Sequence, residues 1–119
     1  MATRTPTITP HIQNSPVTSV VWTGLLNGDD GSPIDWVGYS DRSVQFTGTF
    51  GTGGSIRLEW SNDGGTTWVT STDPQGNDII KTAAGGEAVT ESALLVRPRV
   101  TAGDGTTSLS CYLAMRRTK

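Results

Sequence analysis

With 119 residues, a net charge of −2 and one cysteine, the chain is sized for a single domain with a real core. It carries no global basic field for nucleic acid and cannot close an intrachain disulfide. Only 17% of residues are charged while 15 are glycine, and no segment holds a 3.6-residue apolar period; this excludes a helical bundle and points to an all-β chain rich in turns.

Residues 1–16 hold Pro6, Pro10 and Pro16 among Thr, Ser, Asn and Gln. They offer little to bury and cannot form a helix. The expectation is an extended N-terminal arm over 1–16 and one β domain over 17–119. The arm is read either as a disordered tail or as a segment that orders on a neighbouring subunit. In the second case Ile8 and Ile12 are its apolar anchors and Arg4 its contact to an acidic groove. The N-terminal residues lack the apolar stretch of a leader, and no run nears the ~18 apolar residues of a membrane span. A soluble chain made in a cytoplasm is expected.

Val17–Leu26 reads as the first strand, with Val17, Ser19 and Val21 on one side and Val20, Trp22 and Leu25 breaking strict alternation. The loop 27–33 is built of turn formers. Its Asp29 and Asp30 do not recur at calcium-loop spacing, so a solvated turn is expected. A short strand or edge follows over 34–39. Residues 43–50 alternate Val44, Phe46 and Phe50 with Ser43, Gln45, Thr47 and Thr49. Gly48, on the apolar side, marks a bulge or a large neighbour. Gly51-Thr52-Gly53-Gly54 reads as a hairpin turn, making 43–71 a three-stranded meander. Its next strand alternates Ile56, Leu58 and Trp60 with Arg57 and Glu59, then enters Asn62-Asp63-Gly64-Gly65, a turn that takes positive φ cheaply.

Further on, 73–78 is another turn, Ile79 and Ile80 start a short strand, and 88–94 is an extended link or one helical turn. Residues 94–101 alternate Leu94, Val96, Pro98 and Val100 with Leu95, Arg97 and Arg99; Pro98 places this strand at an edge or a break. Gly103-Asp104-Gly105 reads as a hairpin turn. The last strand, 107–116, points Leu109, Cys111, Leu113 and Met115 inward, with Cys111 an inert core thiol. Seven to eight short strands at this spacing predict a two-sheet β-sandwich or a jelly-roll-like barrel.

Catalytic chemistry is sparse. The one histidine, His11, lies in the proline-rich arm, no phosphate-binding glycine loop occurs, and nearly all carboxylates sit in turns where backbone capping accounts for them. No enzyme activity, cofactor or metal is expected. Among the aromatics Trp22, Trp36, Tyr39, Trp60, Trp68 and Tyr112, core packing is the ordinary role and a sugar-stacking platform the alternative; Trp36 and Tyr39, beside loops, are expected to be the most exposed. Arg97, Arg99, Arg116, Arg117 and Lys119 crowd the C-terminal part, where the last acid is Asp104. They form either a solvated edge or a contact to an acidic partner surface.

Two resemblances follow. Ser61-x-Asp63-x-Gly65-x-Thr67-Trp68 resembles the Asp-box of sialidases and other propellers, which implies a non-catalytic turn in which the aspartate ties down amides and the tryptophan packs beneath. A propeller needs several copies, and one is present here. The runs 44–50, 60–68, 72–76 and 96–109, in that order, resemble small virion proteins of tailed bacteriophages, the capsid decoration or cement proteins. That resemblance implies a β-sandwich or barrel on the outer head surface, bound to the major capsid protein, often as a trimer, with a terminal arm gripping the shell. It implies no catalytic residue, no nucleic acid and no membrane. Arg4, Ile8, Ile12, Arg97, Arg99, Arg116 and Arg117 are the candidate capsid or subunit contacts. The alternatives are a carbohydrate-binding or adhesion module, and a head–tail or tail component.

Overall fold

The computed structural model describes residues 2–10, 17–35 and 39–117. Among them are twelve strands and no helix: β1 (Thr3–Arg4), β2 (Thr7–Pro10), β3 (Val17–Leu26), β4 (Asp30–Gly31), β5 (Ile34–Asp35), β6 (Asp41–Thr49), β7 (Ser55–Ser61), β8 (Val69–Thr70), β9 (Ile80–Lys81), β10 (Gly85–Ala88), β11 (Leu95–Ala102) and β12 (Ser108–Arg116). One sheet runs β1-β4-β11-β7-β8, with β5 also on β11 and β9 also on β7; the other runs β10-β6-β12-β3-β2. The chain is all-β, a two-sheet β-sandwich.

Its backbone is one long antiparallel ribbon folded over on itself. β6 pairs β12 from Asp41↔Arg116 to Thr49↔Ser108, and β7 pairs β11 from Ser55↔Ala102 to Ser61↔Leu95. Both chains of the ribbon therefore cross from one sheet to the other at the same end. This corrects two expectations. The turn 51–54 does not close a hairpin, because β6 and β7 lie in different sheets, and neither does 103–105. Both are corners, and glycine and aspartate serve a corner as well as a hairpin. Asp104 laces them together: its carboxylate accepts from the Thr52 and Thr106 amides at 2.9 Å each, while Thr107 Oγ1 donates to the Phe50 carbonyl at 2.8 Å. The Thr106 hydroxyl, then the Thr52 amide, hold the Asp104 carboxyl well below the usual range. Of the proposed meander only the β7–β8 pairing remains.

The broken alternation of the first strand has a structural cause. β3 faces the core with Val20, Trp22 and Leu25, while its register with β12 slips between Cys111↔Trp22 and Leu109↔Leu25. The extra residue is absorbed where Gly24 takes φ 65°, so a bulge resets the phase. Gly48 marks a close backbone approach rather than a large side chain. A Cβ there would lie 2.4 Å from the Ser108 carbonyl oxygen. Pro98 sits in the middle of the sheet, at a break. Val100 N donates outward to Asp29 O, and Pro98, two residues earlier, faces the gap between β4 and β5, where no ladder bond is needed.

Between the sheets Trp22, Phe46, Ile56, Leu58, Val96, Leu109 and Leu113 are fully buried, each burial stabilising by about 1.5–3 kcal/mol. Trp60 packs against this core. Trp68, expected inside, is half-buried on the opposite face of the sheet. Cys111 is buried as expected, and desolvation pushes its thiol pKa up. Residues 85–88 form a strand on β6, and the Val89 amide continues to the Arg42 carbonyl.

Residues 2–10 do not stand clear of the domain. β1 pairs in parallel with β4, and β2 pairs with β3 from Thr7↔Val21 to Pro10↔Thr18, so the segment straps both sheets. Prolines bar a helix but not an edge strand, and Asp29 and Asp30 supply the acceptors that hold the segment. Ile12 and His11 lie outside the described residues. Removing residues 1–10 is expected to destabilise the domain by about 2–4 kcal/mol, on the order of 10 °C or more in Tm, because it strips partners from two buried carboxylates. Thermal melts of the full and shortened chains measure this; equal Tm values would mean the strap holds nothing.

Candidate functional site

The outer face of the β7–β11 pair carries a lattice of charge. Strand alternation sends Arg57, Glu59 and Ser61 outward from β7, and Leu95, Arg97 and Arg99 outward from β11. Register then sets Arg97 opposite Glu59, and Arg99 between Arg57 and Asp30. Arg97 donates to Glu59 Oε1 at 2.9 Å and to Asp30 Oδ2 at 3.1 Å, and its guanidinium lies 4.2 Å from the centre of the Trp68 ring. Glu59 accepts Arg57 on its other oxygen at 2.8 Å, and Asp30 accepts the Thr3 hydroxyl at 2.7 Å. Next to this lattice, Asp29 takes the Ala2 amide at 2.8 Å and both the Leu26 amide and Arg4 Nε at 3.0 Å. Burial by itself would raise the Asp29 pKa, but the Leu26 and Ala2 amides and Arg4 outweigh it and the pKa lies below the ordinary value.

Asp29 and Asp30 are therefore not a solvated turn. They are buried, at 3% and 6% exposure, and saturated by internal donors. Of the residues singled out in the sequence, Arg4 and Arg97 are engaged with these carboxylates. Arg116 pairs with Asp41 at the exposed far end of the ribbon, Arg117 is exposed beside it, and Ile8 is 56% exposed on the edge strand β2. Arg99 has a buried Nε without a hydrogen-bond partner. Sequence reading named Arg57, Glu59 and Asp30 but did not join them into one site. Their signal was the Arg-x-Glu and Arg-x-Arg spacing on two strands, which means nothing until the register is known.

Beside this lattice, the turn after β7 is closed by its own side chains. Asp63 Oδ1 accepts the Thr66 and Thr67 amides at 3.0 and 2.9 Å and the Ser61 hydroxyl at 2.8 Å. Ser61 Oγ in turn accepts the Gly65 amide at 3.0 Å, and Trp68 Nε1 donates to the Gly65 carbonyl at 3.0 Å.

The opposite sheet shows a different face. Two of its outer rows, Thr7–Val21–Tyr112–Gln45 and Thr9–Ser19–Ala114–Ser43, contain no charge, and the next carries the Arg116–Asp41 pair. Tyr112 is 40% exposed above a shallow groove of about 330 Å³. Tyr39, expected to be exposed, is half-buried with its hydroxyl 3.1 Å from Thr18 Oγ1, and Trp36 lies outside the described residues.

The fold and these faces define a compact two-sheet β-sandwich whose buried carboxylates, Asp29, Asp30, Glu59 and Asp73, are bonded internally. No family model and no curated sequence matches the chain. Among solved structures it is similar to the SPBc2 prophage-derived protein YomS, with a TM-score of 0.62 and 10% identity over 88% of this chain and 98% of that one. Weaker likenesses are a cupin domain from Bordetella pertussis (TM-score 0.46, 15% identity, 100% and 99% covered) and protein NMB1881 from Neisseria meningitidis (0.42, 17%, 93% and 82%). The first establishes a shared fold, and the last two have no bearing on role.

The Asp63 carboxyl titrates at about 2, lowered first by the Thr67 amide and then by the Ser61 hydroxyl. An unfolded aspartate titrates near ~3.9, so the native state binds its proton less readily. The stabilisation is complete above pH ~4 and is lost as pH falls toward about 2. Asp63→Ala is expected to melt several degrees below wild type near neutrality, with the gap closing across that acid window; parallel melting curves at every pH would show that Asp63 does not hold the turn.

Proposed function

We infer that this chain is a non-enzymatic bacteriophage virion protein that decorates the outer surface of the head, binding the major capsid protein as a homo-oligomer, most simply a trimer. The carrying observation is the fold held in common with a prophage-derived protein over 88% of the chain. The ordered sequence runs that resemble cement proteins support the same reading. The architecture suits such a task. A folded ribbon laced at one end by Asp104, and strapped across both sheets by residues 2–10, is a stiff body able to bridge neighbouring capsid subunits. Many weak contacts per shell then add through multivalency. The exposed Ile8 edge and the Arg116–Arg117 end supply contacts outside the core. The test is co-sedimentation of purified protein with heads of the phage that encodes it, stripped of the protein. Saturable binding at a fixed ratio to capsid subunits, with heads made more resistant to heat, is the expected result. Protein that stays at the top of the gradient would overturn the reading.

One observation favours a second reading, a carbohydrate-binding module of the virion. The charge-free face around Tyr112 combines an exposed aromatic ring, the Gln45 amide and several hydroxyls, the chemistry that stacks and hydrogen-bonds a neutral sugar. Under this reading Tyr112→Ala abolishes binding on a glycan panel without lowering Tm; a wild-type chain that binds no glycan removes it.

A further inference from the structure

Arg99 stands out on the charged face. It lies between Asp30 on one strand and Arg57 on the other, each directly opposite across the ladder. Its natural partner, Asp30, is already engaged, one oxygen by Thr3 and the other by Arg97. Its other neighbour is a like charge, an arrangement that costs stability when uncompensated. Glu59 offers no relief, since one of its oxygens holds Arg57 and the other Arg97. Arg99 Nε is shielded from solvent and makes no hydrogen bond, and a buried donor left unmade calls for an explanation.

We propose that Arg99 and Arg57 together receive a carboxylate from an acidic side chain of a protein partner. The site rests on the capsid reading for the identity of that partner, the acidic group being one on the head surface, but its chemistry is independent of it. Arg57 is one-third exposed and holds Glu59 through Nε and Nη2, which leaves Nη1 for an outside acceptor; Arg99, on the neighbouring strand, offers its terminal nitrogens in front of the shielded Nε, so the two guanidiniums together match the two oxygens of one carboxylate. The charge count favours a single carboxylate over a polyanion. Arg57, Arg97 and Arg99 face Glu59 and Asp30, three positive charges against two negative, so one added negative charge neutralises the face. A nucleic acid strand, with a charge every ~3.4 Å, would run its next phosphates onto Glu59 and Asp30. The Arg97–Trp68 stack stands beside the pair and holds Glu59 and Asp30 in place, so the receiving site is preorganised.

The experiment follows the arginine Nε–Hε resonances of the full-length chain by NMR during titration with a hexaglutamate peptide and, separately, with inorganic phosphate. Arg99 and Arg57 should shift with the peptide, while Arg42, bonded to the Tyr39 and Glu91 carbonyls, stays still. Arg99→Gln should abolish the Arg57 shift, keep Tm equal or raise it by relieving the arginine pair, and weaken binding to stripped heads roughly tenfold. Silence of Arg99 at millimolar peptide overturns the proposal, as does an equal response to phosphate at matched charge. A lower Tm for Arg99→Gln also overturns it, since Arg99 would then be a structural member. If the peptide shifts Arg99 but wild-type protein ignores heads, the capsid reading falls and the carboxylate site stands. If heads bind wild type and Arg99→Gln alike, the site falls and the capsid reading stands.

Discussion

Arg97 is the residue on which the arrangement of this sandwich depends. One guanidinium gathers Glu59 from the neighbouring strand, Asp30 from β4, and the ring of Trp68 from the Asp-box turn. Through Asp30 it also reaches Thr3 of the N-terminal strap. Three segments far apart in sequence, the strap, β4 and β7 with its turn, thus share one charge on β11. Glu59 and Asp30 are only 2% and 6% exposed, and a carboxylate that deep is costly unless paired. The net energy of such a cluster is modest against an apolar substitute, since desolvation offsets most of the attraction. What it supplies is geometry, because the turn, the loop and the strap each have one position in which all the carboxylates are satisfied.

The same logic recurs at smaller scale. Asp63 ties down its own turn, Asp104 ties two corners together, and Asp73 accepts the Gln75 and Asn77 amides at 2.9 and 3.0 Å in the loop before β9. Glu91 accepts the Thr72 amide at 2.9 Å, and Arg42 donates to the Glu91 and Tyr39 carbonyls, joining the two sheets at the far side. With no helix among the described residues and many short strands, loop backbone groups are numerous. Satisfying them with nearby carboxylates is the economical solution. This is also why most of the acids are occupied structurally rather than free for acid–base chemistry.

Tied-down loops and groups left without partners suit the decoration role proposed above. A protein that cements a shell gains by having its contact groups fixed before it binds, since little entropy is then lost on docking. Arg99, whose Nε makes no hydrogen bond, and Ile8, apolar and 56% exposed, are two of the places among the described residues where the fold leaves its own interactions unfinished.

The sequence by itself determined the class and most of the strands. Alternation over 43–50, 55–61 and 107–116 is a local property of the pleat, and it placed Phe46, Ile56, Leu58, Leu109 and Leu113 in the core. The Asp-box turn was legible too, because all its bonds span only a few residues. Only the tertiary structure decided which strands pair. Gly51–Gly54 and Gly103–Gly105 have the same composition whether they reverse a hairpin or turn a corner, and the choice was made by β12 matching β6 along its whole length. It also decided that Asp29 and Asp30 are buried, that Trp68 faces outward onto Arg97, and that residues 2–10 lie on the sandwich as strands. Each of these depends on partners dozens of residues away. Register converts a row of charges into a lattice, and register is a property of two strands, which no single stretch of sequence carries.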